Sequence, residues 1–360
     1  SAAAALRAAA DEIVADLARG EIHAGALYAL ASVLKHAPQL VSEPDAAVDA
    51  AVHRVLLSRW DAAESMLGAW TDETPGALAV RLAALRLVAR RVVAARDTAV
   101  GEPALALLWR VASAGQADDL GVPEAARARM RAYAAICILK LMRCDAYAPL
   151  VNARLARLVH VLQDEEHHVR AAVLHRLLVH LTCRTLPDSM HALIYMVAHD
   201  PDDEMRARVT TYTQRNAAVV PADKRHDAFE LVFAQLIALL ATHPDLDLSS
   251  AASIAEYSTY VDFYLSCVAS AQNIAFLASV AATVQRCTFE GVDTAELHTL
   301  AELAHELVQR HAAHRGWNAT AAHVDLPPPF EAAHESASRF SPQVADLLDR
   351  RQSTKRVRRT

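Results

Sequence analysis

Apolar residues recur along most of this chain at intervals of three and four, which is the spacing of helices that bury one face. Clusters of Pro, Gly and Asp interrupt the pattern roughly every 12 to 22 residues. Each cluster joins a helix-stop signal to an N-cap residue or to a proline suited to the first helical turn, as at 71–76, 100–103 and 200–203. The pattern therefore predicts roughly a dozen helices connected by short turns.

The amino-acid composition favours the same structure. Alanine supplies 77 of the 360 residues, whereas the chain has only 9 glycines and 14 prolines. Alanine is the best helix former and a poor strand former, and glycine and proline interrupt both elements. We therefore expect an all-α fold. The composition argues against an all-β fold, a doubly wound α/β fold and extensive disorder.

An internal repeat indicates how the helices are arranged. Asp164 is followed six positions later by Arg170, and 36 residues further along Asp200 is followed in the same way by Arg206. In both places an apolar helix end comes before the Asp and an acidic turn follows it. A pair of antiparallel helices with Asp in the turn and Arg early in the second helix is typical of HEAT repeats.

The repeat predicts a HEAT-like helical-repeat solenoid of antiparallel helix pairs. In such a stack, charge-assisted hydrogen bonds run as a ladder, formed here by Asp164, Arg170, Asp200 and Arg206. A weaker copy of the turn occupies 72–81. The alternative is a bundle of unrelated helices.

The C-terminal part departs from the helical pattern. Periodicity fades after Trp317, and three consecutive prolines at 327–329 fix an extended backbone. We therefore expect three parts along the chain. They are weakly repetitive HEAT-like helices at 1–122, HEAT repeats at 123–316, and an extended closing segment with a basic tail at 317–360.

The tail differs from the rest of the chain in charge. Six basic residues occupy positions 350–359, and the remainder carries 30 basic and 42 acidic residues, a net charge of −12. The tail contains a short run of basic residues of the kind that serves as a nuclear address or a weak anion contact, formed by Lys355, Arg356, Arg358 and Arg359.

The sequence lacks the common motifs of catalysis and metal binding. It contains no GxSxG, GxxxxGK[ST] or HExxH, and its 18 histidines do not combine with cysteines or carboxylates at the spacing of a zinc site. The five cysteines form no CxxC pair, as expected for free thiols in a reducing compartment. We therefore expect a protein that is not an enzyme and needs no metal or cofactor.

Two further features concern the extent of the chain and its surroundings. No apolar run reaches the roughly 18 residues that a membrane-spanning helix requires, so we expect no membrane association. The chain begins without Met, and we interpret it as a piece of a longer protein.

A basic helix face is the strongest candidate for partner binding. Arg81, Arg86, Arg90 and Arg91 alternate with apolar residues in one predicted helix. Such a face can meet nucleic acid or an acidic partner peptide. The alternative is a solvated face whose arginines form salt bridges inside the stack.

Several longer stretches resemble a known family. They are RAYAAICILKL at 131–141, LQDEEHHVR at 162–170, AHDPD at 198–202, YVDFYL at 260–265, NIAFL at 273–277 and GWN at 316–318. Their order and spacing resemble the C-terminal part of the cohesin-associated HEAT-repeat family called precocious dissociation of sisters, in a fungal version. Residues 1–130 match this family only as generic HEAT-like helices, and the three prolines at 327–329 depart from its pattern.

The resemblance implies a non-enzymatic scaffold that is nuclear, chromosome-associated, and controls the maintenance and release of sister-chromatid cohesion. It implies binding to the kleisin and other cohesin subunits, and an indirect association with chromatin. It also implies cooperation with a releasing factor through a more N-terminal part of the protein. Two alternatives are another HEAT-type adaptor, such as a transport or phosphatase scaffold, and a helical-repeat DNA glycosylase, which would need a strongly basic concave surface.

Overall fold

The computed structural model describes residues 2–41, 46–60, 70, 74, 76–115, 122–248 and 250–333. The chain folds as two compact units, Ser1–Val179 and His180–Thr360. The predicted basic run of the tail lies outside the described residues; it consists of Lys355, Arg356, Arg358 and Arg359. The three-part division of the chain at 122 and 316 remains a prediction.

Helices make up nearly all the regular structure of the described residues. The first unit contains α1 Ala2–Arg19, α2 Ala24–His36, α3 Ala46–Leu57, α4 Gly76–Ala95, α5 Thr98–Ala114, α6 Glu124–Leu141, α7 Ala148–Asn152, α8 Ala156–Leu162 and most of α9 His167–Thr182. The second contains α10 Asp203–Val219, α11 Ala222–Arg225, α12 Val232–Ala241, α13 Ala251–Val268, α14 Ile274–Val284 and α15 Thr294–Arg315.

The remaining elements are short. They are two 3₁₀ segments at Pro38–Leu40 and Asp188–His199, a π-helical turn at His226–Glu230, and strands β1 Cys287–Phe289 and β2 Phe330–Ala332. The predicted all-α helical-repeat fold is confirmed.

Helix ends follow the signals expected from the sequence. Asp97, Asp202 and Asp293 each precede a helix, and their carboxylates accept hydrogen bonds from backbone N–H groups of its first turn. Helices α5 and α15 end at Gly115 and Gly316, whose φ angles of +75° and +70° favour a residue without Cβ. These aspartates and glycines therefore determine where the helices begin and end.

In the first unit, helices pack against helices that are close to them along the chain. Helix α2 packs against α4, and α4 against α6, while α1 packs against α3 and α5 packs against α6 and α8. Small side chains line the inner faces: Ala83, Ala84 and Ala89 of α4 and Ala134 and Ala135 of α6 are at most 2% exposed. Such serial packing of neighbours is characteristic of helical repeats.

The second unit has an aromatic core. The 3₁₀ segment Asp188–His199 packs against α12 and α13, and α12 and α14 both pack against α15. Phe233 stacks on Tyr264 with ring centroids 4.7 Å apart, and Tyr195 meets Tyr264 edge-on at 4.9 Å. The Tyr264 hydroxyl donates a hydrogen bond of 2.6 Å to the carbonyl of Phe229, so the buried ring keeps a polar partner.

The chain after α15 lies extended against the second unit. The side-chain amide of Gln309 donates to the Ala319 carbonyl at 2.8 Å, and the Ala322 N–H donates to the hydroxyl of Ser279 at 2.8 Å. Strand β2 then pairs antiparallel with β1. No helix within the described residues is both long enough and apolar enough to cross a membrane.

Replacing Gly101 with Ala should destabilise the first unit. A Cβ at this position would lie 2.2 Å from Cε1 of Tyr147, a fully buried ring whose hydroxyl is 2.7 Å from the carbonyl oxygen of Val92. Because this ring is held in place, we expect Gly101→Ala to lower the free energy of unfolding by about 2 kcal/mol or more. Urea denaturation followed by circular dichroism measures the change.

The matched control is Gly25→Ala in α2. A Cβ there would meet nothing within 4 Å, so the gain in helix propensity should stabilise the protein by roughly 0.5–1 kcal/mol. Equal effects of the two substitutions would contradict the packing around Tyr147.

Acid should destabilise the second unit through His191. This residue is 5% exposed; its Nδ1 lies 2.9 Å from the Asp188 carbonyl oxygen and its Nε2 3.0 Å from the Tyr212 hydroxyl. Burial lowers the pKa of His191 below the ordinary 6.5, so the unfolded chain takes up the proton first as the pH falls. Stability should therefore fall as the pH drops from 7.5 to 5.5.

The urea midpoint at the two pH values measures this effect. His191→Gln should show a smaller drop than the unsubstituted chain, although a part remains because burial also lowers the pKa values of His305 and His311. An unchanged drop in the variant would show that His191 does not carry the acid sensitivity.

Candidate functional site

The four arginines predicted to form one basic face of α4 have different environments. Arg81 is only 4% exposed. Its guanidinium donates to the carbonyl of Ala77 at 3.2 Å and to the carbonyl and hydroxyl of Ser58 at 3.0 and 2.9 Å, and it lies 4.3 Å from the Trp60 ring centroid. Arg81 therefore links α4 to the chain after α3, and its contacts are internal.

Arg91 also pairs inside the unit. Its guanidinium donates to both carboxylate oxygens of Asp49 on α3, and its own side chain is 12% exposed. The guanidinium groups of Arg81 and Arg91 therefore make contacts inside the first unit. This agrees with the alternative to partner binding, in which the arginines of α4 form salt bridges within the stack. Their role in partner binding remains a prediction.

Arg86 and Arg90 belong to a different environment, which we call the basic cluster. It comprises Arg86 and Arg90 of α4, Lys140 of α6, Arg143 just after α6, and Arg176 of α9. The charges of Arg86 and Arg143 act on Arg90, and those of Arg90, Arg86 and Arg176 act on Lys140. Three helices of the first unit thus contribute cations whose charges act on Arg90 and Lys140.

Two tyrosines flank the basic cluster. The guanidinium carbon of Arg86 lies 5.4 Å from the ring centroid of Tyr28, and Nζ of Lys140 lies 5.4 Å from that of Tyr133. Both distances suit cation–π contacts. Burial raises the pKa of Tyr133 to about 12, although the charge of Arg86 and the hydrogen bond that Arg86 donates to the Tyr133 hydroxyl act in the opposite direction.

The cluster has no counter-ion from the described part of the chain. None of its five cations forms an ion pair there, and the Nε groups of Arg86 and Arg90 are buried without a hydrogen-bond acceptor. Burial and then the neighbouring cations lower the pKa of Arg90 and of Lys140. Like charges held together without compensation cost stability, which is characteristic of sites built for a ligand of opposite charge.

The predicted Asp–Arg turn recurs in both units with the same internal geometry. Arg170 donates to the backbone carbonyl of Asp164 at 2.8 Å, and Arg206 donates to the backbone carbonyl of Asp200. The Asp164 carboxylate instead accepts from Arg131 at 2.7 and 2.9 Å. Each Arg therefore reaches the predicted Asp through its main chain, and a ladder continuing from turn to turn remains a prediction.

None of the cysteines whose thiol pKa is shifted is an activated nucleophile. Burial raises the pKa of the thiols of Cys137, Cys267 and Cys287. A nucleophilic cysteine needs the opposite shift, toward the thiolate.

Part of the basic cluster escaped the sequence analysis because its members come from different helices. Lys140, Arg143 and Arg176 lie far along the chain from Arg86, and a single helix pattern does not reveal which faces meet. One usable signal was present: Tyr133 and Lys140 are seven residues apart, a spacing that places both on one face of a helix.

Removing one charge from the basic cluster should stabilise the protein. Arg90→Met keeps the aliphatic packing and relieves repulsion, so we expect the free energy of unfolding to rise by roughly 0.5 kcal/mol at low salt, and less at high salt. Arg81→Met is the matched comparison. It removes hydrogen bonds to Ser58 and Ala77 and should lower the free energy of unfolding by about 2 kcal/mol.

Urea denaturation of the two variants at two salt concentrations makes this comparison. If Arg90→Met destabilised the chain as Arg81→Met does, the cluster would be a structural element and the candidate site would be wrong.

Comparisons with known proteins agree with the resemblance seen in the sequence. Residues 1–330 match the family described as sister chromatid cohesion protein PDS5. A relative from Schizosaccharomyces pombe, named sister chromatid cohesion protein pds5, is 24% identical over 238 residues, which cover 64% of this chain and 20% of that protein. The chain therefore spans about a fifth of the length of this relative. Because the match to this family covers nearly the whole length of the chain, the chain belongs to the PDS5 family of sister chromatid cohesion proteins.

Proposed function

We propose that this chain is a non-catalytic, partner-binding section of a cohesion regulator, and that it holds an acidic segment of the kleisin subunit of cohesin on the basic cluster. Family membership supports the role in cohesion. The observation that carries the binding site is the set of five cations without a counter-ion in the described part of the chain.

The chemistry of the cluster favours an extended acidic peptide. Exposed Arg143 and Arg176 provide long-range attraction, which increases the rate of encounter with an acidic partner. The rings of Tyr28 and Tyr133 add flat apolar surface beside the cations, and aromatic residues with arginine are the usual anchors of protein interfaces. A helical-repeat face offers room for a peptide to lie across several helices.

Other expected properties follow from the family and belong to the same proposal. The protein acts in the nucleus on chromosomes, its contact with chromatin is indirect, and parts of the protein beyond this chain engage the releasing factor and further cohesin subunits. The basic tail, Lys355 to Arg359, serves as the nuclear address. Family membership disfavours the alternatives of a transport or phosphatase adaptor and of a DNA glycosylase.

Charge reversal in the basic cluster should weaken kleisin binding. With purified kleisin immobilised and the full 360-residue chain in solution, Arg86→Glu/Arg90→Glu should lose at least about tenfold in affinity, because attraction becomes repulsion. The loss should shrink as salt rises, since the screening length falls from about 10 Å at 0.1 M to 3 Å at 1 M.

The control for this experiment is Arg110→Glu/Arg157→Glu. It makes the same change in net charge at two exposed arginines of α5 and α8 and should bind nearly as well as the unsubstituted chain. Circular dichroism confirms that both variants fold. Equal loss in the two would mean that only net charge matters, and no loss in either would place the kleisin elsewhere.

A further inference from the structure

The basic cluster has a floor and a rim. Arg86, Arg90 and Lys140 are half-buried and form the floor, whereas Arg143 and Arg176 are exposed and form the rim. The two buried Nε groups of Arg86 and Arg90 have no acceptor among the residues that the structure describes. The rings of Tyr28 and Tyr133 lie beside two of the floor cations, Arg86 and Lys140.

The charge at the floor exceeds what one carboxylate can neutralise. An Asp or Glu side chain carries one negative charge and two oxygens, whereas the floor has three cations: Arg86 and Arg90 one turn apart on α4, and Lys140 on α6, which packs against α4. A phosphate monoester carries about −1.5 to −2 charge and three strong acceptor oxygens, and it bonds the guanidinium fork in a bidentate manner. A single phosphorylated side chain therefore matches the floor better than a run of carboxylates, which would spread its charge along the rim.

A nucleic acid fits the arrangement less well. Its phosphates repeat along a line, and proteins that bind them non-specifically present cations in a stripe or groove that tracks the backbone. Of the five cations here, Arg143 and Arg176 are exposed, whereas the three floor cations are half-buried on α4 and α6, which pack together.

We propose that the floor of the basic cluster, formed by Arg86, Arg90 and Lys140, is a subsite for one phosphoserine or phosphothreonine of an acidic partner segment, so that phosphorylation of the partner strengthens its binding. This inference rests on the proposed function for the identity of the partner. The rim arginines hold the acidic residues on either side of the phosphate.

Labelled model peptides test the subsite directly. Three acidic peptides differ at one place, which holds serine, phosphoserine, or two consecutive glutamates of matched charge, and their binding to the full chain is measured by fluorescence anisotropy. The phosphopeptide should bind at least about tenfold more tightly than the serine peptide and several-fold more tightly than the charge-matched one. Equal affinity for the phosphorylated and charge-matched peptides would overturn the inference, because charge alone would then be read.

Two variants locate the effect. Lys140→Gln should abolish most of the preference for phosphate, whereas Lys224→Gln, at an exposed lysine of α11 in the other unit, should keep it. A labelled DNA duplex and inorganic phosphate serve as competitors. If the duplex bound more tightly than the phosphopeptide, the site would be a nucleic-acid contact; if inorganic phosphate competed at the phosphopeptide's own concentration, it would be a site for a free anion. Either result overturns the inference.

A second readout does not depend on affinity. The chain has only four lysines, Lys35, Lys140, Lys224 and Lys355, so ¹³C-dimethylation gives few NMR signals. Burial lowers the pKa of Lys140 in the free protein, and phosphopeptide should raise it. An unchanged titration of Lys140 would overturn the inference.

The kleisin itself separates the two proposals. Binding to the cluster that is the same for phosphorylated and dephosphorylated kleisin would remove the phosphate subsite and leave the proposed function standing. A preference for the phosphopeptide without any binding of kleisin would support the phosphate subsite and contradict the proposed function.

Discussion

Close packing of alanine-lined helices is the constraint on which the candidate site depends. Ala83, Ala84 and Ala89 on α4 and Ala134 and Ala135 on α6 are almost completely buried. Small side chains allow helix axes to approach toward the lower end of the usual range of about 8–10 Å. The packing of α4 against α6 therefore fixes the helix positions from which the half-buried cations Arg86, Arg90 and Lys140 extend.

The chain compensates charge elsewhere, which makes the basic cluster distinctive. Arg131 forms a bidentate pair with Asp164, and Arg91 pairs in the same way with Asp49. Carboxylates are thus available to neutralise buried arginines in this unit, and they do so where the contact serves the fold. Five cations without an ion pair in the described part of the chain cost stability, and departures of this kind from local consistency are expected at functional sites.

Local signals in the sequence predict much of the fold. The spacing of apolar residues and the abundance of alanine predict an all-α protein, and Asp97, Asp202 and Asp293 mark helix starts because a carboxylate caps a helix wherever it occurs. The 36-residue repeat identifies two equivalent turns, and the Arg six positions after each Asp reaches the predicted residue. The capping aspartates and the Asp–Arg contacts within each turn act over only a few residues.

The site was less accessible to sequence reasoning because it is assembled from several helices. Arg86 and Arg81 lie little more than a turn apart on α4, yet Arg86 lies beside the ring of Tyr28, whereas Arg81 contacts Ser58 and Trp60. The difference depends on which element packs over each face, and nothing within α4 specifies that. Lys140 and Arg176 join the cluster for the same reason, through tertiary packing.

The most direct measurement of the central claim is a crystal structure of this chain with the kleisin segment bound. The account predicts that the segment crosses α4 and α6, with acidic oxygens within hydrogen-bond distance of Arg86, Arg90 and Lys140. A segment bound on other helices, with the basic cluster filled by carboxylates from this chain itself, would contradict it.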